Sequence, residues 1–255
     1  MAMKLSTRKR PKREDKMIKN TMKISEKVFD DKTLAVLQRM ISNNVITTLD
    51  FPIAQGKESA VYRATKEDDE NGREYLAVKI FKYETSSFLH MEKYIEGDDR
   101  FGRVPSNRRE LVKLWAKKEY ANLKMCGEAG ISVPEPIAHR DNVVVMELLG
   151  ENGIPYALLK DVVLENPEKT MNEILENARK AYGKGLVHAD LNEYNIVIKK
   201  EIPYLIDWGQ GVLKTHPRAE EFLLKDVGNI VKYFKKLGVE RNLEETIEFV
   251  KGNRR

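Results

Sequence analysis

A short segment of this 255-residue chain carries a carboxylate and a carboxamide at a fixed offset: His188-Ala-Asp-Leu-Asn-Glu-Tyr-Asn195. On one loop, Asp190 can orient or deprotonate a hydroxyl group while Asn195 offers an oxygen to Mg2+, which prefers hard oxygen ligands. A second carboxylate, Asp207, ends the run Tyr-Leu-Ile-Asp and is followed by Trp-Gly. These are the metal ligands and the nucleophile-orienting group that phosphoryl transfer requires.

Phosphoryl transfer also needs a cation for the nucleotide phosphates. Lys79 ends the run Leu-Ala-Val-Lys, which is typical of a strand lysine that holds the α- and β-phosphates and pairs with a helical glutamate, here Glu119. Taken singly, each has an ordinary explanation: Lys79 as an edge-strand lysine at the solvent, and Glu119 as part of a solvated face with Lys117 and Lys118. The two aspartates alone are equally typical of turns. The order of all these groups along the chain favours the catalytic interpretation.

The apolar pattern predicts a strand-rich first half and a helix-rich second half. A polar, irregular stretch from Tyr83 to Asn107 predicts a mobile or functional loop. The prolines Pro134 and Pro136 are expected to break the chain before a buried strand. The other expected elements are a helical extension at 24–47, strands at 51–56, 60–64, 75–81, 143–149, 195–198 and 204–207, a helix from 111, a helix ending near 185, and two terminal helices.

Composition excludes several classes of protein. Charged residues make up 33% and hydrophobic residues 41% of the chain, the balance of a soluble globular protein. No apolar run reaches transmembrane length, and the N-terminus lacks the apolar core of a secretory signal, so we expect a cytoplasmic protein without membrane partners. Cys126 is the single cysteine, which excludes an intramolecular disulfide and a cysteine-rich zinc site.

The N-terminus is strongly basic. Nine lysines and arginines lie between Lys4 and Lys23, and they account for much of the net charge of +5. Residues 1–23 therefore predict a disordered basic arm. Such an arm binds RNA or another polyanion through phosphate contacts, or it is a solvated tail that aids solubility. The sequence leaves both interpretations open.

The motifs together resemble the RIO family of atypical serine/threonine protein kinases, specifically its type-one subfamily in the compact form of the archaeal members. The resemblance covers most of the chain after the basic arm. Its matching stretches are Gly56-Lys-Glu-Ser-Ala-Val-Tyr62 as phosphate loop, Ala77-Val-Lys79-Ile, Leu114-Trp-Ala-Lys-Lys-Glu119, Val133-Pro-Glu-Pro, Val187-His-Ala-Asp190-Leu-Asn-Glu-Tyr-Asn195 and Leu205-Ile-Asp207-Trp-Gly-Gln-Gly.

The resemblance implies an α+β fold, a trimmed bilobal protein-kinase-like arrangement. Its antiparallel N-lobe would span residues 48–149 and its helical C-lobe residues 150–255. It implies an autophosphorylating kinase and ATPase that uses ATP with Mg2+, or with Mn2+, and acts in maturation of the small ribosomal subunit. Pre-ribosomal RNA and protein would be partners, bound through the basic arm and the cleft. The implied ATP-binding residues are Gly56, Lys57, Glu58, Ser59, Val61, Lys79, Glu119, Met146, Glu147 and Leu149.

The resemblance also assigns individual roles around the catalytic loop. Asp190 is the implied proton acceptor, and Asn195 and Asp207 are the implied metal ligands. Asp207 is in addition a candidate phosphoacceptor, through an aspartyl-phosphate. Asp226, early in the terminal helix, is expected to brace the catalytic loop, and His188 is expected to pack within it. Self-phosphorylation candidates in the long loop are Ser86, Ser87 and Ser106.

Departures from ordinary protein kinases affect the choice of substrate. The phosphate loop has one glycine, Gly56, so the side chains that follow it would crowd the phosphates. Ala189 replaces the arginine that senses a phosphorylated activation loop, and His216-Pro217 follows Asp207 without an activation segment. Two alternatives therefore stay open: a small-molecule phosphotransferase of kinase-like fold, and a nucleotide-sensing assembly scaffold with slow turnover.

Overall fold

The computed structural model describes residues 29–68, 72–84 and 88–253. The predicted basic arm, residues 1–23, lies outside these described residues, as do Ser86 and Ser87. Within the described ranges, none of the helices has the length and apolarity required to cross a membrane.

The N-terminal half is a five-stranded antiparallel sheet with a helix packed on one face. Helix α1 begins after Asp30, whose carboxylate caps the helix by accepting from the amides of Lys32 and Thr33. The predicted three-strand meander is confirmed, and two further strands extend it in the order β1-β2-β3-β5-β4. The elements are α1 (Asp31–Ser42), β1 (Thr48–Gln55), β2 (Ser59–Asp68), β3 (Gly72–Phe81), β4 (Pro136–Arg140) and β5 (Val143–Glu147).

Strand β4 was not expected from the sequence, where Pro134 and Pro136 indicated only a break in the chain. Pro136 is the first residue of β4 and pairs with Met146 of β5 at the edge of the sheet. An edge strand tolerates proline at its start because the missing N–H group is not needed by a second neighbour. The prediction of a break is therefore wrong at Pro136.

The stretch from Tyr83 to Asn107 is also more ordered than predicted. It contains helix α2 (Phe88–Ile95), so the prediction of an irregular loop is wrong for these residues. Met91, Tyr94 and Ile95 are buried, and their spacing of three and four residues places them on one face of the helix. The Tyr94 ring lies 5.1 Å from the ring of Phe222, which anchors α2 on the C-terminal half.

Helices dominate the C-terminal half, as predicted. A long helix contacts both strands β4 and β5 of the sheet and the turn after Asp207, and the short strand pairs that come after β5 carry the loops of the site. In chain order the remaining elements are α3 (Arg108–Glu128), β6 (Gly150–Glu151), β7 (Ile154–Pro155), α4 (Pro167–Gly183), β8 (Leu186–Val187), β9 (Ile196–Lys199), β10 (Ile202–Leu205), β11 (Val212–Leu213), α5 (Ala219–Lys235) and α6 (Leu243–Lys251), with single 3-10 turns at Leu159–Asp161 and Trp208–Gln210.

The alternation of β3 decides where Lys79 points. Val78 and Ile80 belong to the apolar cluster between the sheet and α1, whereas Ala77 and Phe81 belong to the main core on the opposite face. Because successive side chains of a strand alternate between its faces, Lys79 lies on the same face as Ala77 and Phe81. This face lines the cleft between the two halves.

Candidate active site

Lys79 joins two carboxylates that are far apart in the sequence. Its Nζ atom lies 2.8 Å from Oε1 of Glu119 and 2.9 Å from Oδ1 of Asp207. Lys79 and Glu119 are buried, whereas 47% of the Asp207 side chain is exposed in the cleft. The structure therefore rejects the solvated-lysine and solvated-face explanations for Lys79 and Glu119.

The charges of this cluster depend on one another. Desolvation lowers the pKa of Lys79, but the carboxylates of Asp207 and Glu119 outweigh it, so that pKa is raised overall. Desolvation likewise raises the pKa of Asp207, and the Lys79 ammonium reverses this and lowers it. At Glu119 desolvation prevails over Lys79 and raises the pKa to about 7. Asp207 is thus the carboxylate that stays ionised at the cleft surface.

The turn after Asp207 is fixed by two buried side chains of α3. Lys118 Nζ donates to the carbonyls of Gly209 and Gly211, and Asn122 Nδ2 donates to the carbonyls of Trp208, at 2.8 Å, and Gly211, at 2.9 Å. A Cβ atom on Gly209 would lie 2.8 Å from the indole nitrogen of Trp115, so only glycine allows this approach.

Sequence reasoning missed Lys118 because it follows Lys117 in what resembled a solvated face. Lys118 is fully buried. Burial lowers its pKa to about 7, against an opposing effect of Asp98. The available signal was its helical register: Lys118 lies three residues after Trp115 and four before Asn122, which are both buried.

The Asp207 backbone adopts the left-handed conformation, with φ 62° and ψ 62°. Aspartate and asparagine enter this region more readily than other non-glycine residues. The amide of the preceding residue, Ile206, donates to the carbonyl of Asn195 at 2.9 Å. This bond holds the chain next to the metal-ligand candidate Asp207 against that of the candidate Asn195.

Asp190 has its two carboxylate oxygens held by different elements. Oδ2 accepts from Asn195 Nδ2 at 3.1 Å and from Gln210 Nε2 at 3.3 Å. Oδ1 accepts from Lys225 Nζ, on α5, at 3.3 Å. Neither the Lys225 nor the Gln210 contact was expected from the sequence, since neither residue belongs to the motif from His188 to Asn195.

Asp226 braces the catalytic loop, and that prediction is confirmed. Its buried carboxylate accepts from the amides of Ala189, at 2.7 Å, and Leu191, at 2.8 Å. Burial raises the pKa of Asp226 to about 8, although the two amide hydrogen bonds oppose the shift. Ala189 has a φ of 68°, an unfavourable conformation for alanine that these bonds help to maintain.

His188 has the packing role that was expected. It is buried against Trp208, with ring centroids 4.5 Å apart, and its Nε2 atom lies 3.0 Å from the carbonyl of Ile206. Burial lowers its pKa. A neutral imidazole that donates to Ile206 orients the chain next to Asp207 and is not placed to act as a base.

A cleft of about 380 Å³ opens in front of these groups. Its lining includes ten of the thirteen site residues expected from the sequence: Gly56, Ser59, Val61, Lys79, Glu119, Met146, Glu147, Leu149, Asn195 and Asp207. The other three are Asp190, Lys57 and Glu58. Asp190 contacts the lining through Asn195, whereas Lys57 lines a different cavity beside α1. Glu58 is half-buried in the phosphate loop, where its carbonyl accepts from the amide of Lys82.

The donor set at Asp207 fits Mg2+. It offers one exposed carboxylate and the amide oxygen of Asn195, whose Nδ2 atom already donates to the carbonyl of Asp190 at 2.8 Å. Across the described ranges, no cluster of three or more histidine, cysteine or acidic side chains could hold a metal alone. Mg2+ bound through one or two protein oxygens, nucleotide phosphates and water matches such a sparse set.

Comparison with known proteins places these features in a family. Residues 60–247 match the family model described as the RIO domain. The RIO-type serine/threonine-protein kinase Rio1 of Haloferax volcanii is 38% identical over 231 residues, covering 91% of this chain and 78% of the relative. Rio1 of Thermoplasma acidophilum is 38% identical over 181 residues, covering 71% of this chain and 96% of the relative.

Two solved structures from Chaetomium thermophilum have a similar fold. Its Rio2 kinase has a TM-score of 0.66 at 25% identity, covering 83% of this chain and 66% of that one. A Rio2 kinase-ADP/Mg2+-phosphoaspartate complex has a TM-score of 0.64 at 24% identity, covering 84% and 65%. This chain thus spans slightly less than two thirds of those solved chains. The predicted α+β, kinase-like fold is confirmed.

Proposed function

The chain belongs to the RIO family of serine/threonine-protein kinases, and we propose that it transfers the γ-phosphoryl group of ATP in the cleft around Lys79 and Asp207. The observation that supports this most directly is the position of Lys79 between Glu119 and Asp207, with Asp190 and Asn195 on the adjoining loop. A protein kinase requires this set of a cation, metal ligands and a hydroxyl-orienting carboxylate.

Each group has a distinct task in this proposal. The Lys79 ammonium binds the α- and β-phosphates, held in place by Glu119. Asp207 and Asn195 hold Mg2+, which neutralises phosphate charge when bound; Mn2+ accepts the same oxygen ligands. Asp190 orients the acceptor hydroxyl and takes its proton. Met146, Glu147 and Leu149, in and after β5, form the adenine end of the cleft.

The phosphate loop completes the proposed nucleotide site. Gly56 and Ser59 lie at the tip between β1 and β2, where the Gly56 amide donates to the Ser59 carbonyl at 2.9 Å. By family resemblance we also assign Lys57 and Glu58 to the phosphates, although Lys57 lines the cavity beside α1 in this structure. Val61, which lines the cleft, would contact the nucleotide. In this scheme the N-lobe is residues 48–149 and the C-lobe residues 150–255.

Asp207 is also the proposed phosphoacceptor in a second, ATPase route. Its carboxylate is ionised and half exposed in the cleft, which suits a nucleophile. One carboxylate oxygen bonds to the γ-phosphorus as the bond to ADP breaks, and water then hydrolyses the acyl phosphate to inorganic phosphate. The related Rio2 complex, which holds ADP, Mg2+ and phosphoaspartate, supports this route.

One labelling experiment tests the proposed transfer and its acceptor. The pure protein is incubated with γ-labelled ATP and Mg2+, denatured, and divided into samples with and without hydroxylamine. Label that hydroxylamine removes is an acyl phosphate on a carboxylate, and label that resists it is on serine or threonine, with Ser86, Ser87 and Ser106 as candidates. Samples without Mg2+ are the control. Absence of both label and ADP release would overturn the proposed function.

We further propose that the chain acts in the cytoplasm on a pre-ribosomal small subunit, bound through the basic segment before Lys23 and through the cleft. The support is the family resemblance and the charge of that segment. Deleting residues 1–22 should weaken binding to a small-subunit ribosomal RNA fragment and flatten its salt dependence, while ADP release stays unchanged. Equal affinity of both proteins across a salt series would contradict this partner.

A further inference from the structure

Lys225 places a cation at the catalytic aspartate. It lies on α5, with 51% of its side chain exposed, and its Nζ atom is 3.3 Å from Oδ1 of Asp190. The other oxygen, Oδ2, accepts from Asn195 and Gln210. Oδ1 is therefore the oxygen through which Asp190 can receive an acceptor hydroxyl, and Lys225 stands beside that position.

The catalytic loop itself supplies no cation there. No lysine or arginine occurs from His188 to Asn195. The side chain of Asn192 is engaged with the loop backbone, since its Nδ2 atom donates to the Asp190 carbonyl at 2.8 Å and its Oδ1 atom accepts from the Tyr194 amide at 2.9 Å. On the nucleotide side, the Lys79 ammonium is bound to Glu119 and Asp207.

Phosphoryl transfer needs positive charge on the acceptor side as well. Negative charge is spread over the oxygens of the moving group, between the attacking and the leaving oxygen. Fixed charges that face the developing charge lower the barrier, and removing one slows the reaction. The Lys225 ammonium next to Asp190 meets this requirement, because the loop from His188 to Asn195 itself offers only neutral side chains and the carboxylates of Asp190 and Glu193.

We propose that Lys225 is a catalytic residue that binds an oxygen of the transferring phosphoryl group, leaving Asp190 Oδ1 to the acceptor hydroxyl. This inference rests on the proposed function. The acceptor oxygen bonds to the γ-phosphorus while the bond to the ADP oxygen breaks, and the electron pair stays on ADP. The acceptor proton passes to Asp190, and Lys225 keeps its own protons throughout.

The surroundings of Lys225 favour a catalytic over a structural role. Exposed ion pairs are screened by water and contribute little to stability. The structural link between α5 and the loop is made by the next residue, Asp226, which is buried and holds two backbone amides. Lys225 has a flexible four-carbon stem and a half-exposed ammonium, so it can move from Asp190 to an arriving phosphate.

The test compares ADP release at saturating MgATP for the wild type, Lys225→Ala and Lys225→Arg, with Lys232→Ala as the control. Lys232 is exposed on the same helix, seven residues further on. We expect Lys225→Ala to lower kcat about 10- to 100-fold with the KM for ATP within about twofold, because the cation acts on the moving group. Lys225→Arg should recover much of the rate, and Lys232→Ala should match the wild type.

Other outcomes have defined meanings. Unchanged or increased kcat in Lys225→Ala overturns the inference and makes Lys225 a surface contact or a restraint on Asp190. Equal losses of ATP affinity and of kcat/KM, with kcat unchanged, also overturn it. If Lys225→Ala unfolds, the same comparison between Lys225→Met and Lys225→Arg decides. A wild type that releases no ADP overturns the proposed function and this inference with it, whereas an active wild type with an equally active Lys225→Ala removes only the inference.

Discussion

Lys79 Nζ lies 2.8 Å from Glu119 Oε1, and both side chains are buried. The second oxygen of this glutamate, Oε2, has no hydrogen-bond partner among the described residues. The negative charge of Glu119 is therefore balanced mainly by Lys79. Because Glu119 fixes the position of Lys79, it also fixes the ammonium that contacts Asp207. A charge left unpaired in such a site is far more unfavourable than the loss of both charges together.

This dependence predicts non-additive stabilities. Lys79→Met should lower the free energy of unfolding by about 3 kcal/mol, because it leaves Glu119 buried without its cation. The double variant Lys79→Met/Glu119→Leu should be destabilised less than the sum of the single variants. Urea unfolding of the four proteins of this cycle measures the coupling.

Lys66→Met, at an exposed pair with Glu74, is the control and should change stability by less than about 1 kcal/mol. Additive single effects would contradict the coupling.

The buried Lys118 predicts that the free energy of unfolding depends on pH, because its pKa is lowered, whereas that of Lys79 is raised. Burial lowers its pKa from 10.5 to about 7 in the folded protein. Between those values the unfolded chain binds a proton that the folded protein does not, so this residue adds stability as pH rises from about 7 towards 10. Relative to Lys118→Met, the wild type should become steadily more stable over that range in urea unfolding.

Lys117→Met is the matched control for this pH series, because Lys117 is exposed on the same turn of α3. Its difference from the wild type should stay constant between pH 7 and 10. A Lys118→Met difference that is equally flat would mean that Lys118 keeps its proton among the carbonyls of Gly209 and Gly211.

These two lysines mark what the sequence could predict. Lys79 follows a run of strand-forming residues, and the alternation of a strand fixes the face on which it lies. Its pairing with Glu119 was predictable because a strand lysine of this kind pairs with a helical glutamate in kinases. The burial of Lys118 was not, because it depends on the turn after Asp207 docking against α3, a contact between segments about ninety residues apart.

The same distinction holds for the fold. The meander and the helices other than α2 have clear periodicity, and the sequence predicted them. Strand β4 begins with a proline and exists through its pairing with β5, which a local pattern does not contain. The Lys225 contact with Asp190 likewise joins α5 to the catalytic loop through tertiary packing.

We expect substitution of Asp226 to lower the catalytic rate without lowering the affinity for ATP. In Asp226→Asn one amide of the pair Ala189 and Leu191 loses its acceptor, so we expect a loss of about 1–3 kcal/mol in stability. Because the strained catalytic loop is then less well held, kcat should fall while ATP affinity is retained. Calorimetric titration with ATP and ADP-release kinetics measure the two effects. Asp161→Asn, at an exposed aspartate, is the control, and a parallel loss of affinity and rate would contradict the bracing role.

Asp207→Asn should reduce Mg2+-dependent ADP release at least about 100-fold, because the amide removes the charge proposed to bind the metal. The backbone should be unaffected, since asparagine also enters the left-handed region in which Asp207 lies, and its oxygen can still accept from Lys79. A retained melting temperature together with lost turnover would therefore report on the chemical role of the Asp207 carboxylate, as metal ligand or as phosphoacceptor, and not on the fold. Asp141→Asn is the matched control, because Asp141 also has a positive φ, of 48°, but lies in the turn between β4 and β5. Wild-type turnover in Asp207→Asn would remove Asp207 from the reaction, both as metal ligand and as phosphoacceptor.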